Sequence, residues 1–137
     1  MTECRGIRGA TRASGNTAEE IYRATKELLS ELIEANHLEE PNVAMVFFTV
    51  TEDLDAVFPA AAARQLGWNT TALMCAREIP VPGSMQGCVR ILILYNTDTP
   101  QSEVTNIYLN GTDALRSQGL PEYPYTEFHL KLVPALD

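Results

Sequence analysis

Arg90 stands inside QGCVRILILY (residues 86–95), with Val89 before it and Ile91, Leu92, Ile93 and Leu94 after it. This run is the strongest strand signal in the chain, and alternation puts Arg90 on one face with Cys88 and Leu92. A guanidinium buried there without a partner costs several kcal/mol. Its partner is either a carboxylate of the protein or an anionic or polarised oxygen of a ligand. Arg8, between Ile7 and Gly9, poses the same question in a second strand, where Gly6 and Gly9 let a backbone or a ligand come close. Glu78 follows the apolar TTALMCA at a strand end, where functional groups are commonly carried on a rigid sheet. Its plainer reading is an exposed carboxylate.

Other chemistries lack their parts. The three cysteines, Cys4, Cys75 and Cys88, form no Cys-x-x-Cys pair, and the two histidines, His37 and His129, complete no zinc set. Neither a metal site nor a disulfide framework is expected, and reduced thiols in a cytoplasmic protein are the simpler reading. Cys75 has no identifiable base beside it and reads as a small buried hydrophobe rather than a nucleophile. Tyr108 and Phe58 read as core aromatics, His37 as a residue favoured at a helix C-terminus. No Ser-His-Asp set, P-loop or GxGxxG is present. These residues fit a site that binds a carboxylate-bearing small molecule, or one whose reaction needs only positioning and charge stabilisation.

The elements that must hold these residues are legible in outline. The 137 residues suit a single domain, and 45% hydrophobic against 20% charged residues is enough for a core. No apolar run is long enough to span a bilayer, and a secretory signal is not expected. Ten Lys and Arg against 18 Asp and Glu give a net charge of −8, which argues against broad binding to nucleic acid or anionic membrane. Residues 4–10 read as a first strand. Thr17 and Glu20 have capping-box spacing, with Asn16 as an alternative cap, before a helix striped by Ile21, Ala24, Leu28, Leu32 and Ala35. VAMVFFTV reads as a strand buried on both sides. Pro59 and Gly67 bracket a short helix, residues 70–76 form a strand, and Thr99-Pro100 opens another short helix before a strand at 106–109. Beyond Gly111 the pattern predicts an irregular tail. The order predicts an α+β fold, one mixed, curved sheet with helices packed outside it.

The segments CRGIRGAT, TEDLDAVFPAAAARQLGW, MCAREIPVPGSMQGCVRILI and TPQSEVTNIYL, in this order and spacing, closely resemble the monofunctional AroH-class chorismate mutases. The resemblance runs from about residue 4 to about residue 116, and it is the combination of motifs that is specific. It implies a homotrimer whose subunits together make a pseudo α/β barrel, and it implies the rearrangement of chorismate to prephenate in phenylalanine and tyrosine biosynthesis. That Claisen reaction is unimolecular and takes no metal or organic cofactor. It needs the enolpyruvyl ether held in its compact conformer, and negative charge stabilised on the ether oxygen.

By the same resemblance, Arg90 faces the ether oxygen and a substrate carboxylate, Arg8 binds the side-chain carboxylate, and Tyr108 assists it. Glu78 accepts a hydrogen bond from the ring hydroxyl with Cys75 nearby. Phe58 forms an aromatic wall and Arg64 a basic group at the mouth, both from the neighbouring subunit; Leu115 and Arg116 come from the segment that covers the substrate. Two departures stand out. Ala61 replaces a lysine frequent in the family, and residues 117–137 diverge from the family's LRPDL-type tail. Two other functions keep the same arginines: a non-catalytic trimeric module for a carboxylated metabolite, and an imine deaminase of similar shape. Loss of chorismate separates the three.

Overall fold

The computed structural model describes residues 2–117 and 130–133. Its sheet runs β3-β2-β4-β1-β5-β6, built from β1 (Glu3–Arg12), β2 (Val43–Val50), β3 (Ala72–Arg77), β4 (Cys88–Thr97), β5 (Asn106–Leu109) and β6 (Leu130–Val133). β4 is antiparallel to both β1 and β2, whereas β2–β3, β1–β5 and β5–β6 are parallel. The fold is therefore α+β with a mixed sheet, as the order of elements predicts.

The long helix α1 (Ala18–Asn36) buries Ile21, Ala24, Leu28, Leu29 and Leu32 on the sheet. Burying each of the larger side chains contributes roughly 1.5–3 kcal/mol. Thr17 is its N-cap and accepts a hydrogen bond from the Glu20 backbone N–H at 3.1 Å. Asn16 is not the cap. Its amide oxygen instead accepts from the backbone N–H groups of Asp55 and Ala56, at 3.0 and 3.1 Å, and ties the loop after β2 to the start of α1. His37 ends the helix in the left-handed conformation (φ 52°), so its place there is set by backbone geometry. Glu19, Glu27 and Glu34 lie on the side of α1 away from the core.

Alternation along the strands divides the sheet into two faces. Ile7, Val46, Phe48, Ile91, Ile93, Ile107 and Leu109 point towards α1 and form the core, joined by Ala63 of α2 (Ala61–Gln65) and Trp68. Arg8, Phe47, Thr49, Arg90, Leu92 and Tyr108 belong to the opposite face. Leu92 is exposed there, together with Met74.

Three expectations change. The helix anticipated after Thr99-Pro100 is a single 3-10 turn, Gln101–Glu103, with Pro100 at its cap. Where the sequence reads as an irregular tail, Thr112–Ser117 forms 3-10 turns and β6 adds a parallel strand beside β5. Only four apolar-rich residues, LKLV, mark that strand, too short a run to show a period. His129 and the rest of the tail lie outside the described residues. Finally, the close approach at Gly9 is made by the protein itself. A Cβ there would stand 2.7 Å from the Ile107 carbonyl oxygen and 2.9 Å from Leu28 Cδ1.

Gly9→Ala therefore pushes β5 and α1 away from β1. The expected loss is about 1–3 kcal/mol, read as a lowered midpoint in urea or thermal unfolding. An unchanged midpoint would contradict this packing.

Candidate functional site

The register brings the strand-embedded arginines to one place. Arg90 on β4 is paired with Ala10 on β1 and Thr49 on β2, and Arg8 is paired with Leu92. Ala10 is in turn paired with Tyr108 on β5. Side chains directly opposite one another on a face are neighbours, so Arg8, Arg90, Thr49 and Tyr108 share one patch. Glu78, just beyond β3, joins them because its backbone N–H donates to the Val50 carbonyl at 2.8 Å and continues the β2–β3 pairing.

Arg90 has a protein partner. Its Nη1 donates to Glu78 Oε1 at 3.2 Å, while the Thr49 hydroxyl donates to Glu78 Oε2. The Arg90 and Glu78 side chains are 39% and 24% exposed. Arg90 is thus less buried in the isolated chain than the strand pattern predicts, and the carboxylate answering it is the other candidate residue. A guanidinium has five N–H donors, so this contact leaves others for a ligand. Arg8, exposed, makes no ion pair among the described residues.

A hollow of about 250 Å³ lies over Arg8, Thr49, Glu78, Arg90 and Tyr108. A second, about 530 Å³, opens on the other side of Arg90 and Glu78 and is lined by Ile79, Val81, Met85 and Leu115. Arg116 lies over the Tyr108 ring, its guanidinium carbon 5.8 Å from the centroid. Leu115 and Arg116 therefore come to the Arg90 patch in a single chain. Cys75, Phe58 and Arg64 do not. Cys75 is paired with Phe48 and packs against the core on the α1 side of the sheet. With Phe58, itself 79% exposed, it lines a separate hollow of about 570 Å³ whose guanidinium, Arg77, sits 3.8 Å from Glu52. Arg64 is exposed on α2.

The thiols near these hollows are not poised to react. Burial pushes the Cys75 thiol up, only partly offset by a backbone hydrogen bond from Ala60. Burial also raises Cys88, to about 11, against the opposing pull of Arg12 and Arg90. Both stay protonated at neutral pH, which removes the thiolate that nucleophilic attack requires. Among the described residues no group of three or more His, Cys, Asp or Glu side chains is placed to hold a metal ion.

Sequence patterns missed the side chains that hold the cluster. Thr49 carries no signal beyond its strand position. Gln101 acts as a piece of strand for β1, accepting from the Gly6 N–H at 3.1 Å and donating to the Gly6 carbonyl at 2.7 Å. Asn106 accepts from the Arg8 backbone N–H at 3.0 Å. Together they satisfy the edge of β1 before its short pairing with β5 begins, and so fix the backbone that carries Arg8.

A mixed sheet with one long covering helix and two arginines on its open face finds close counterparts. Residues 4–119 match the family described as chorismate mutase type I. A chorismate mutase AroH of Thermus thermophilus is 50% identical over 113 residues, 82% of this chain and 93% of the relative. The chorismate mutase AroH of Bacillus subtilis (strain 168) is 42% identical over 113 residues, 82% of this chain and 89% of the relative. The solved structure of a chorismate mutase from Clostridium thermocellum superposes with a TM-score of 0.78 at 51% identity, covering 80% of this chain and 97% of that one. The chain belongs to the chorismate mutase type I family.

The loop beside the site carries its own charge dependence. Asp53 is buried a little, which raises its pKa, but hydrogen bonds from Thr51 and the Gly87 N–H and the Arg12 charge outweigh this and hold it below 3.8. A depressed carboxylate pKa adds stability that is present above the unfolded value and is lost as pH falls through the folded value. Asp53→Asn is therefore expected to lower the melting temperature at neutral pH. Its gap from wild type should close as pH drops below 3.8. A gap independent of pH would rule out the charged carboxylate as its source.

Proposed function

We propose that this chain converts chorismate to prephenate at the Arg8, Glu78, Arg90 and Tyr108 cluster, and that the site is completed across the subunit boundary of a homotrimer. The observation that carries the reading is the pair of strand-embedded guanidiniums facing one hollow, in a chain belonging to this family.

The reaction moves six electrons around a ring of six atoms. The carbon–oxygen bond of the enolpyruvyl ether breaks while a carbon–carbon bond forms between the enolpyruvyl methylene and the ring. No proton is transferred and nothing is oxidised or reduced, so no base, nucleophile or metal has a step to perform. What the protein supplies is conformation and charge. Arg8, assisted by Tyr108, holds the side-chain carboxylate through a planar two-pronged contact. Arg90 presents donors to a substrate carboxylate and to the ether oxygen, where negative charge grows in the transition state. Glu78 accepts from the ring hydroxyl. Leu115 and Arg116 close over this end, and Arg116 adds positive charge for a dianionic substrate.

Phe58 and Arg64 complete the opposite wall from the adjacent copy, with Cys75 on that neighbour's side. Support for assembly comes from the apolar surface left open in one chain: Phe58, Met74 and Ile79 are 79%, 62% and 81% exposed. The enzyme acts in the cytoplasm, consistent with three free thiols. The residues from 117 onward are a divergent C-terminal tail to a single catalytic domain.

Loss of chorismate absorbance, followed with purified protein, tests the activity. Arg90→Ala should lower kcat/KM at least about a hundredfold with an unchanged circular dichroism spectrum. Near wild-type turnover in that variant would sink the mechanism. Light scattering after size exclusion should give three times the chain mass of 15.1 kDa. An active monomer would refute the shared site.

A further inference from the structure

We infer that Thr49 is a positioning residue for the Glu78 carboxylate, and through it for the charge that Arg90 offers the substrate. The inference rests on the function proposed above and gives a role to a residue of the patch that the proposed mechanism leaves without one.

Glu78 follows the last residue of β3, where a side chain has few strand neighbours to restrain it. β2 restrains it twice. The Val50 carbonyl accepts from the Glu78 backbone N–H at 2.8 Å, and the Thr49 hydroxyl donates to Glu78 Oε2. Thr49 is also the direct cross-strand partner of Arg90, so one β2 residue lies beside both members of the ion pair. The two carboxylate oxygens are thereby divided: Oε1 to Arg90 Nη1, Oε2 to Thr49.

That division has a chemical consequence. A carboxylate facing a guanidinium prefers to meet it with both oxygens in a two-pronged contact. Such a contact would occupy two N–H donors and neutralise more of the charge needed at the ether oxygen. By holding Oε2, Thr49 keeps the pair single-pronged and leaves donors of Arg90 free. It also fixes the torsions of Glu78 before substrate arrives, so that ordering cost does not fall on the reaction. The hydroxyl touches no reacting atom in this scheme.

The test compares Thr49→Val, equal in shape and in strand preference but without the donor, with Thr49→Ser, which keeps it. In the chorismate assay, T49V should lose about tenfold in kcat, with KM changed by less than about threefold. T49S should recover kcat to within about threefold of wild type. In a Glu78→Ala background, adding T49V should cost nothing further, because the residue it acts through is gone. Melting temperatures of the single variants separate lost folding from lost positioning. T49V with wild-type kcat, or T49S as impaired as T49V, would overturn the role. So would an undiminished T49V penalty in the Glu78→Ala background. Wild-type protein that leaves chorismate unchanged would instead overturn the function on which the role depends.

Discussion

A full positive charge in the middle of an apolar strand has to be answered, and the sheet is ordered around the answer. Arg90 sits on β4, which has β2 on one side and β1 on the other. From β2 comes Thr49, and β2 also holds β3 in parallel, so that the chain leaving β3 delivers Glu78 to the guanidinium. From β1 comes Arg8, two residues out of step with Ala10, the partner of Arg90. Slipping β2 or β1 by one residue against β4 would send Thr49 or Arg8, respectively, to the core face. Parallel pairing of β2 and β3 requires a crossover, and the segment carrying α2 provides it.

The two faces of the sheet answer different demands. Towards α1 the packing is closed and apolar, and at Gly9 it is so close that a single methyl group does not fit. The other face keeps its charges at the cost of exposing Leu92 and Met74. The net charge of −8 does not contradict a site for an anion, because the acidic residues of α1 lie across the core from the arginines. Exposed charges separated by more than roughly 8 Å are largely screened at physiological salt. The guanidiniums that line the hollow itself are Arg8 and Arg90.

How much of this the sequence carried depends on whether a feature is local. Helix α1 was legible because its stripe, cap and length agree, and β4 because a long apolar run bounded by turns admits few alternatives. Arg90 and Arg8 stood out as charges in the wrong company, which needs no tertiary information. The partnership of Arg90 with Glu78 was not legible from spacing, since it depends on two strands meeting through a third. Thr49, Gln101 and Asn106 were invisible for the same reason: a threonine in a strand is ordinary, and an amide that substitutes for a missing strand has no pattern of its own. β6 escaped because four residues cannot establish a period and because its pairing partner lies more than twenty positions away. The motif resemblance reached the family and set Phe58 and Arg64 apart from Arg90. Only the fold shows that Leu115 borders a hollow with Arg90, that Arg116 lies over Tyr108, and that Cys75 is on the core face away from Glu78.

For the proposed reaction, a strand is the right support for the main cation. A rearrangement without proton transfer gives the protein no chemical step to time, so its contribution is made before the barrier is climbed, by charge already in place. Charge carried on a mobile loop would have to be gathered as the transition state forms, and that reorganisation would subtract from its stabilising effect. On β4 Arg90 is flanked by a paired strand on each side, and its side chain is steered by a carboxylate that is itself held from β2. The ion pair costs some of the available charge, yet it gives the guanidinium a defined orientation. A single-pronged contact is the compromise: enough to orient Arg90, with donors left for an oxygen that becomes negative only during reaction.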